Sequence, residues 1–175
     1  YYASAAYVAK AAEVLELPEK AAYEQLASHI RSAILEEYVT PTGRLAIDTQ
    51  TAYLLALRFG LCPDKEKAIA AFQNRFKKDC RHLTGGFVGA TMMNTVLADN
   101  GMADIAYDLL CYEGFPGWLY AVNLGATTIW ERWNSVLPDG TVSGTGMNSL
   151  NHYSYGAVTE FLYRHCAGIQ PMAPG

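Results

Sequence analysis

The sequence predicts an all-α fold of antiparallel helical hairpins, and three observations carry that prediction. Apolar residues recur at helical spacing, as at Ala5, Val8, Ala9, Ala12 and Leu15. Helices that are apolar nearly all round alternate with amphipathic ones, which describes a buried inner layer and an outer layer covering it. The short turns FGLCPD and ADNGMA join inner to outer at one end, and turns that short force antiparallel neighbours.

The elements follow in order. The opening pattern YYASAAYVAKAAEVLEL is a helix, and Pro18 begins a second, with Tyr23, Leu26, Ala27, Ile30 and Ile34 on one face. A polar connection through Thr40, Pro41, Thr42 and Gly43 leads to Asp48, read as the N-cap of the nearly all-apolar helix TQTAYLLALRFG. After LCPDKE comes an amphipathic helix with Ile69, Phe72 and Phe76 on its apolar side and lysines elsewhere. The loop RHLTGGFVG precedes another apolar helix, from about Thr91 to Ala98, and the turn DNG precedes a mixed helix through Asp104, Ile105, Leu109 and Leu110. The connections at the opposite end are long: Glu36 to Asp48, Asp79 to Ala90, and Tyr112 to about Leu150. They hold all three tryptophans together with His82 and His152, so this rim is where a site is expected. A final helix is expected from about NHYSYG onward.

Composition narrows the function. At 175 residues and 51% apolar, the chain is long enough to bury a core as one segment, 1–175. A formal net charge of −4 with acids and bases interleaved leaves no basic stripe for nucleic acid. No apolar run approaches the roughly 20 residues of a membrane span, so no membrane is expected as partner. Cys62, Cys80, Cys111 and Cys166 are too scattered for zinc-ligand spacing or a disulfide framework. No cofactor or metal is expected. TGGFVG and VSGTGM match no phosphate-cradling loop, and Ser149 and Ser154 lack the strand-turn-helix elbow of a hydrolase nucleophile.

The stretch ATTIWERW sets Glu131 between Trp130 and Trp133, with Arg132 beside it. Most glutamates are surface residues, and an arginine neighbour allows a simple ion pair. A carboxylate against apolar rings is instead partly desolvated and suited to general acid or base work, and aromatic faces stack on the C–H faces of sugars. His152 lies among Asn148, Asn151, Tyr153 and Ser154, neutral donors and acceptors matched to hydroxyl groups. Trp118 in FPGWLY is equally a rim aromatic or a core anchor. His82 is a weaker candidate, His29 and His165 fall inside helices, and Met92 and Met93 read as core filling.

Taken together, DTQTAYLLALRFGL, HLTGGFVGA, LLCYEGFPGWLY, GATTIWERW and MNSLNHYSYGAV resemble the C-terminal half of the catalytic domain of bacterial α-L-rhamnosidases, glycoside hydrolase family 78. The likeness runs from about Asp48 to Ile169. It implies part of an (α/α)6 toroid of six hairpins, a rhamnose-containing glycoside as substrate, and inverting hydrolysis. Glu131 matches the general base and His152 a rhamnose contact; Trp130, Trp133 and Trp118 are expected to wall the site. The general acid belongs to a segment with no match in this chain. Both ends look cut, with the first half of the toroid and the flanking β domains absent, so the 175-residue chain alone is expected to be inactive. A second copy of the chain is a candidate partner, and the compartment is left open. The rivals are another toroid glycosidase or lyase, and a non-catalytic carbohydrate-binding helical module.

Overall fold

A computed structural model of the chain describes residues 1–144 and 146–172. Their regular elements are helices: α1 Tyr2–Val14, α2 Lys20–Tyr38, α3 Gln50–Phe59, α4 Lys65–Lys78, α5 Phe87–Asp99, α6 Ala103–Leu110 and α7 Trp118–Asn123. A closing helical segment passes from a 3-10 turn, Ser154–Ala157, through α8, Val158–Phe161, to a π turn, Leu162–Cys166. Two isolated β-bridges, Val39 with Leu45 and Val136 with Val142, close loops rather than form sheets. No helix among the described residues is long and apolar enough to cross a membrane.

Local chemistry sets the helix limits. Thr49, not Asp48, caps α3: its hydroxyl accepts the Ala52 N–H, and Gly60 ends the helix at φ +62°. Asp48 instead accepts a hydrogen bond from the Tyr53 hydroxyl at 2.9 Å. Asp64 caps α4 through the Lys67 N–H, and Arg75, Lys77 and Lys78 complement the negative end of its dipole.

The hairpins α1/α2, α3/α4 and α5/α6 pack as sequence neighbours, and α5 also lies against α3 and the closing segment. That is the expected two-layer arrangement, with α3 and α5 inside and α4 and α6 outside. Seven of the residues of α5 are buried, and its Asn94 side chain, 3% exposed, donates to the Ala106 carbonyl of α6 at 2.7 Å. The core is one cluster in which Leu54, Phe72, Phe76, Met93, Leu97 and Phe161 are closed to solvent. The first hairpin stands apart from it. Its buried residues are Ala5, Ala9 and Ala12 on α1 and Ala27 on α2, while Val8 and Leu15, expected to face a core, are exposed.

Two elements depart from the sequence reading. Helix α5 starts at Phe87, not near Thr91, because Gly89 is a packing glycine inside the helix and no loop residue. A Cβ built there would stand 2.4 Å from the Thr51 hydroxyl oxygen on α3, so the missing side chain lets the two inner helices approach. The stretch from Tyr112 to Leu150 is not one continuous loop, since α7 lies within it. Its first residue, Trp118, is buried, and its indole N–H donates to the Tyr155 carbonyl at 2.9 Å.

Candidate functional site

The segment from Thr128 to Arg132 runs back along Met147 to His152, and backbone bonds clasp the two together. The Glu131 N–H donates to the Ser149 carbonyl at 2.9 Å, the His152 N–H to the Ile129 carbonyl at 2.8 Å, and the Thr128 hydroxyl to the Leu150 carbonyl. Between them a small hairpin turns through Asp139 and Gly140, with Ser143 N–H donating to Ser135 carbonyl at 2.9 Å. Ser135, fully buried, accepts the Arg132 N–H on its hydroxyl and the Asn148 amide on its carbonyl, which locks the hairpin to the clasp.

Glu131 is half-buried in this clasp. Its Oε2 accepts the Ser149 N–H at 2.7 Å, whereas Oε1 has no partner among the described residues. Arg132 does not neutralise it: the guanidinium Nε donates to the Met147 carbonyl at 2.8 Å. One carboxylate oxygen is therefore fixed and the other is free to accept a proton. His152, also half-buried, has Nδ1 3.3 Å from the Ser154 N–H. That contact favours the tautomer with its proton on Nε2, which makes Nε2–H a donor suited to a hydroxyl.

Rings form a continuous column beside these groups. Tyr153 stacks on His152 at 5.0 Å, His152 on Phe87 at 5.4 Å, and Phe87 tilts against Tyr155 at 5.4 Å. Tyr155 then stacks on Trp133 at 3.8 Å, and Trp133 meets Trp118 edge-on at 5.1 Å. Trp118, Trp130, Trp133 and Tyr155, with Val122 and Ile129, line a hollow of about 260 Å³. Glu131 and His152 are not among its lining residues. The two tryptophans that bracket Glu131 in sequence thus belong to a neighbouring hollow, and Trp133 reaches His152 through the ring column. Trp118 is both a core anchor and a wall of that hollow.

A buried polar strut, unforeseen from sequence, fixes the loop that leads to Phe87. Gln50, 1% exposed, donates to Asp79 at 2.9 Å and to the His82 carbonyl at 2.8 Å, and accepts the Thr84 N–H at 3.1 Å. Its signal was one amide in the nearly all-apolar inner helix α3. Asp79 is also held by Arg75, whose hydrogen bonds chiefly depress its pKa below the ordinary 3.8; Gln50 and Thr84 add to this, and burial opposes it. A depressed carboxyl stabilises the fold above its unfolded pKa, and that contribution disappears as pH falls through the folded value. Urea midpoints measured from pH 7 downward should therefore hold to about pH 4 and then drop. Asp79→Asn should cost about 1–3 kcal/mol at neutral pH and flatten that drop; a variant with the same acid limb as the parent would contradict the assignment.

The remaining candidates lie elsewhere. His82 tilts against Tyr112 at 5.1 Å, and His165 stacks on Phe161 with Nε2 3.2 Å from Asp99. His29 sits on α2, and the four cysteines are free thiols. Among the described residues no three His, Cys, Asp or Glu side chains converge to hold a metal ion.

Comparison with known proteins places these features in a family. The model of the bacterial alpha-L-rhamnosidase 6 hairpin glycosidase domain matches residues 1–166. The chain belongs to that family. Its hairpins are accordingly part of an (α/α)6 toroid. An α-L-rhamnosidase of Streptomyces avermitilis is 42% identical over 178 aligned residues, which take in 100% of this chain and 17% of the relative. One from Formosa agariphila is 41% identical, over 98% of this chain and 19% of its own length. The crystal structure of the Streptomyces avermitilis rhamnosidase complexed with L-rhamnose superposes with a TM-score of 0.92 at 40% identity, covering 98% of this chain and 17% of that one. The Aspergillus terreus α-L-rhamnosidase gives 0.94 at 30% identity, covering 99% and 21%. The chain thus spans about a sixth of the length of the curated relatives it matches.

Proposed function

We propose that the chain carries the base side of an α-L-rhamnosidase active site and that the intact protein hydrolyses terminal α-L-rhamnosides with inversion. The observation that carries this reading is the clasp. It holds Glu131 by one carboxylate oxygen, leaves the other free, and bears His152 on the facing segment. In the reaction, Glu131 Oε1 takes a proton from water as the water oxygen bonds to the anomeric carbon. The glycosidic C–O bond breaks on the opposite face, and an acid supplied by another part of the intact protein protonates the departing oxygen. Inversion requires those two carboxyl groups to stand roughly 6.5–9.5 Å apart so that water fits between base and sugar. His152 Nε2–H donates to a sugar hydroxyl.

The test is the stereochemistry of the first product. Proton NMR of an aryl α-L-rhamnoside with the intact protein should show β-L-rhamnose appearing first, while the 175-residue chain alone leaves the substrate untouched. Initial α anomer would establish retention, and turnover by the chain alone would refute the division of acid and base between segments.

A further inference from the structure

Phe87 is a large apolar side chain at the first position of α5, 43% exposed, and it is pinned rather than free. Its ring stacks on His152 at 24° and tilts against buried Tyr155, and the loop before it is tied down by Gln50. Of the two rings that cover His152, Tyr153 carries a hydroxyl and Phe87 carries no polar atom. A rhamnose ring is ringed by hydroxyls except at C6, where a methyl replaces the hydroxymethyl of mannose. Hydroxyls are met by donors such as His152 Nε2–H, whereas the methyl needs apolar surface, and Phe87 provides such surface directly against the proposed sugar contact.

We infer that Phe87 is a specificity-determining residue, whose exposed ring reads the C6 methyl and so separates 6-deoxy sugars from their hydroxymethyl parents. The inference rests on the assignment of His152 to the sugar site. An apolar surface gains from a methyl and discriminates only moderately against an added hydroxyl, by on the order of 10²-fold. Phe87 accordingly sets a preference and not an absolute barrier.

The experiment compares kcat/KM of the intact protein for an aryl α-L-rhamnoside and the matching α-L-mannoside, which differ by one hydroxyl at C6. Phe87→Ala should reduce the preference for rhamnoside by about tenfold, chiefly by slowing the rhamnoside, while Phe87→Leu keeps most of it. Made in a His152→Ala background, Phe87→Ala should still shift the ratio, because a residue acting only by propping up His152 would lose its effect there. Glu131→Gln should slow both substrates equally, since the base acts at C1. A preference unchanged by Phe87→Ala in an active enzyme, or a shift that vanishes without His152, overturns this inference alone. An intact protein that cleaves neither glycoside overturns the rhamnosidase reading and the inference together.

Discussion

In the intact protein, Glu131→Gln is expected to lower kcat on aryl α-L-rhamnosides by on the order of 10³-fold, about 4 kcal/mol of barrier, with little change in KM. The size follows from what the substitution keeps and removes. The glutamine carbonyl oxygen still accepts the Ser149 N–H that Oε2 now accepts, and the backbone bond from Glu131 N–H to Ser149 is untouched, so the clasp survives. What is lost is proton affinity at the free oxygen. A general base that is lost in the transition state alone depresses kcat and kcat/KM together, whereas loss of a sugar contact raises KM. Steady-state kinetics at saturating substrate, beside circular dichroism to show an unchanged fold, separate these outcomes. Turnover within a few fold of the parent would remove Glu131 from the role of base.

Trp118→Ala should be the most destabilising of the tryptophan substitutions, at about 3–5 kcal/mol. Its indole is 8% exposed, meets Trp133 edge-on, and belongs to the core cluster with Phe72, Met93 and Phe161. Truncation opens a cavity beside the existing hollow and removes the indole N–H from the buried Tyr155 carbonyl, which keeps the Val158 N–H as a donor. Trp118→Phe separates the two effects: it keeps most of the volume and loses one hydrogen bond, for about 0.5–1.5 kcal/mol. Denaturant unfolding followed by far-ultraviolet circular dichroism measures both. Equal small losses for the two variants would mean that the hollow relaxes around the site and that Trp118 is a rim residue after all.

The helical frame was legible because burial writes itself into spacing. Phe72 and Phe76, one turn apart, and the apolar runs of α3 and α5 name their own buried faces, and the short turns name the pairing. The errors fell where one residue type serves two ends. Gly89 reads as loop but is a contact between helices, and Asp48 reads as a cap but turns to Tyr53 while its neighbour Thr49 caps. Glu131 and His152, the residues proposed to carry the chemistry, stand out by type and motif, and the structure sets them on two clasped segments. Their surroundings were less legible. The partners of Glu131 are backbone groups 18 residues away, and a backbone N–H such as that of Ser149 carries no mark in the sequence. Nor does adjacency reveal direction: Trp130 and Trp133 flank Glu131 in the chain yet line a hollow whose walls do not include it.

The clasp between Ile129 to Arg132 and Met147 to His152 has a consequence for how the loop tolerates change. Because the two segments hold each other through backbone groups, the spacing of Glu131 and His152 is set within one excursion of the chain and not by the tilt of distant helices. The turn at Asp139 and Gly140 lies outside that closure, anchored behind by Ser135. Lengthening, shortening or redecorating that tip is therefore expected to leave the distance between Glu131 and His152 unchanged.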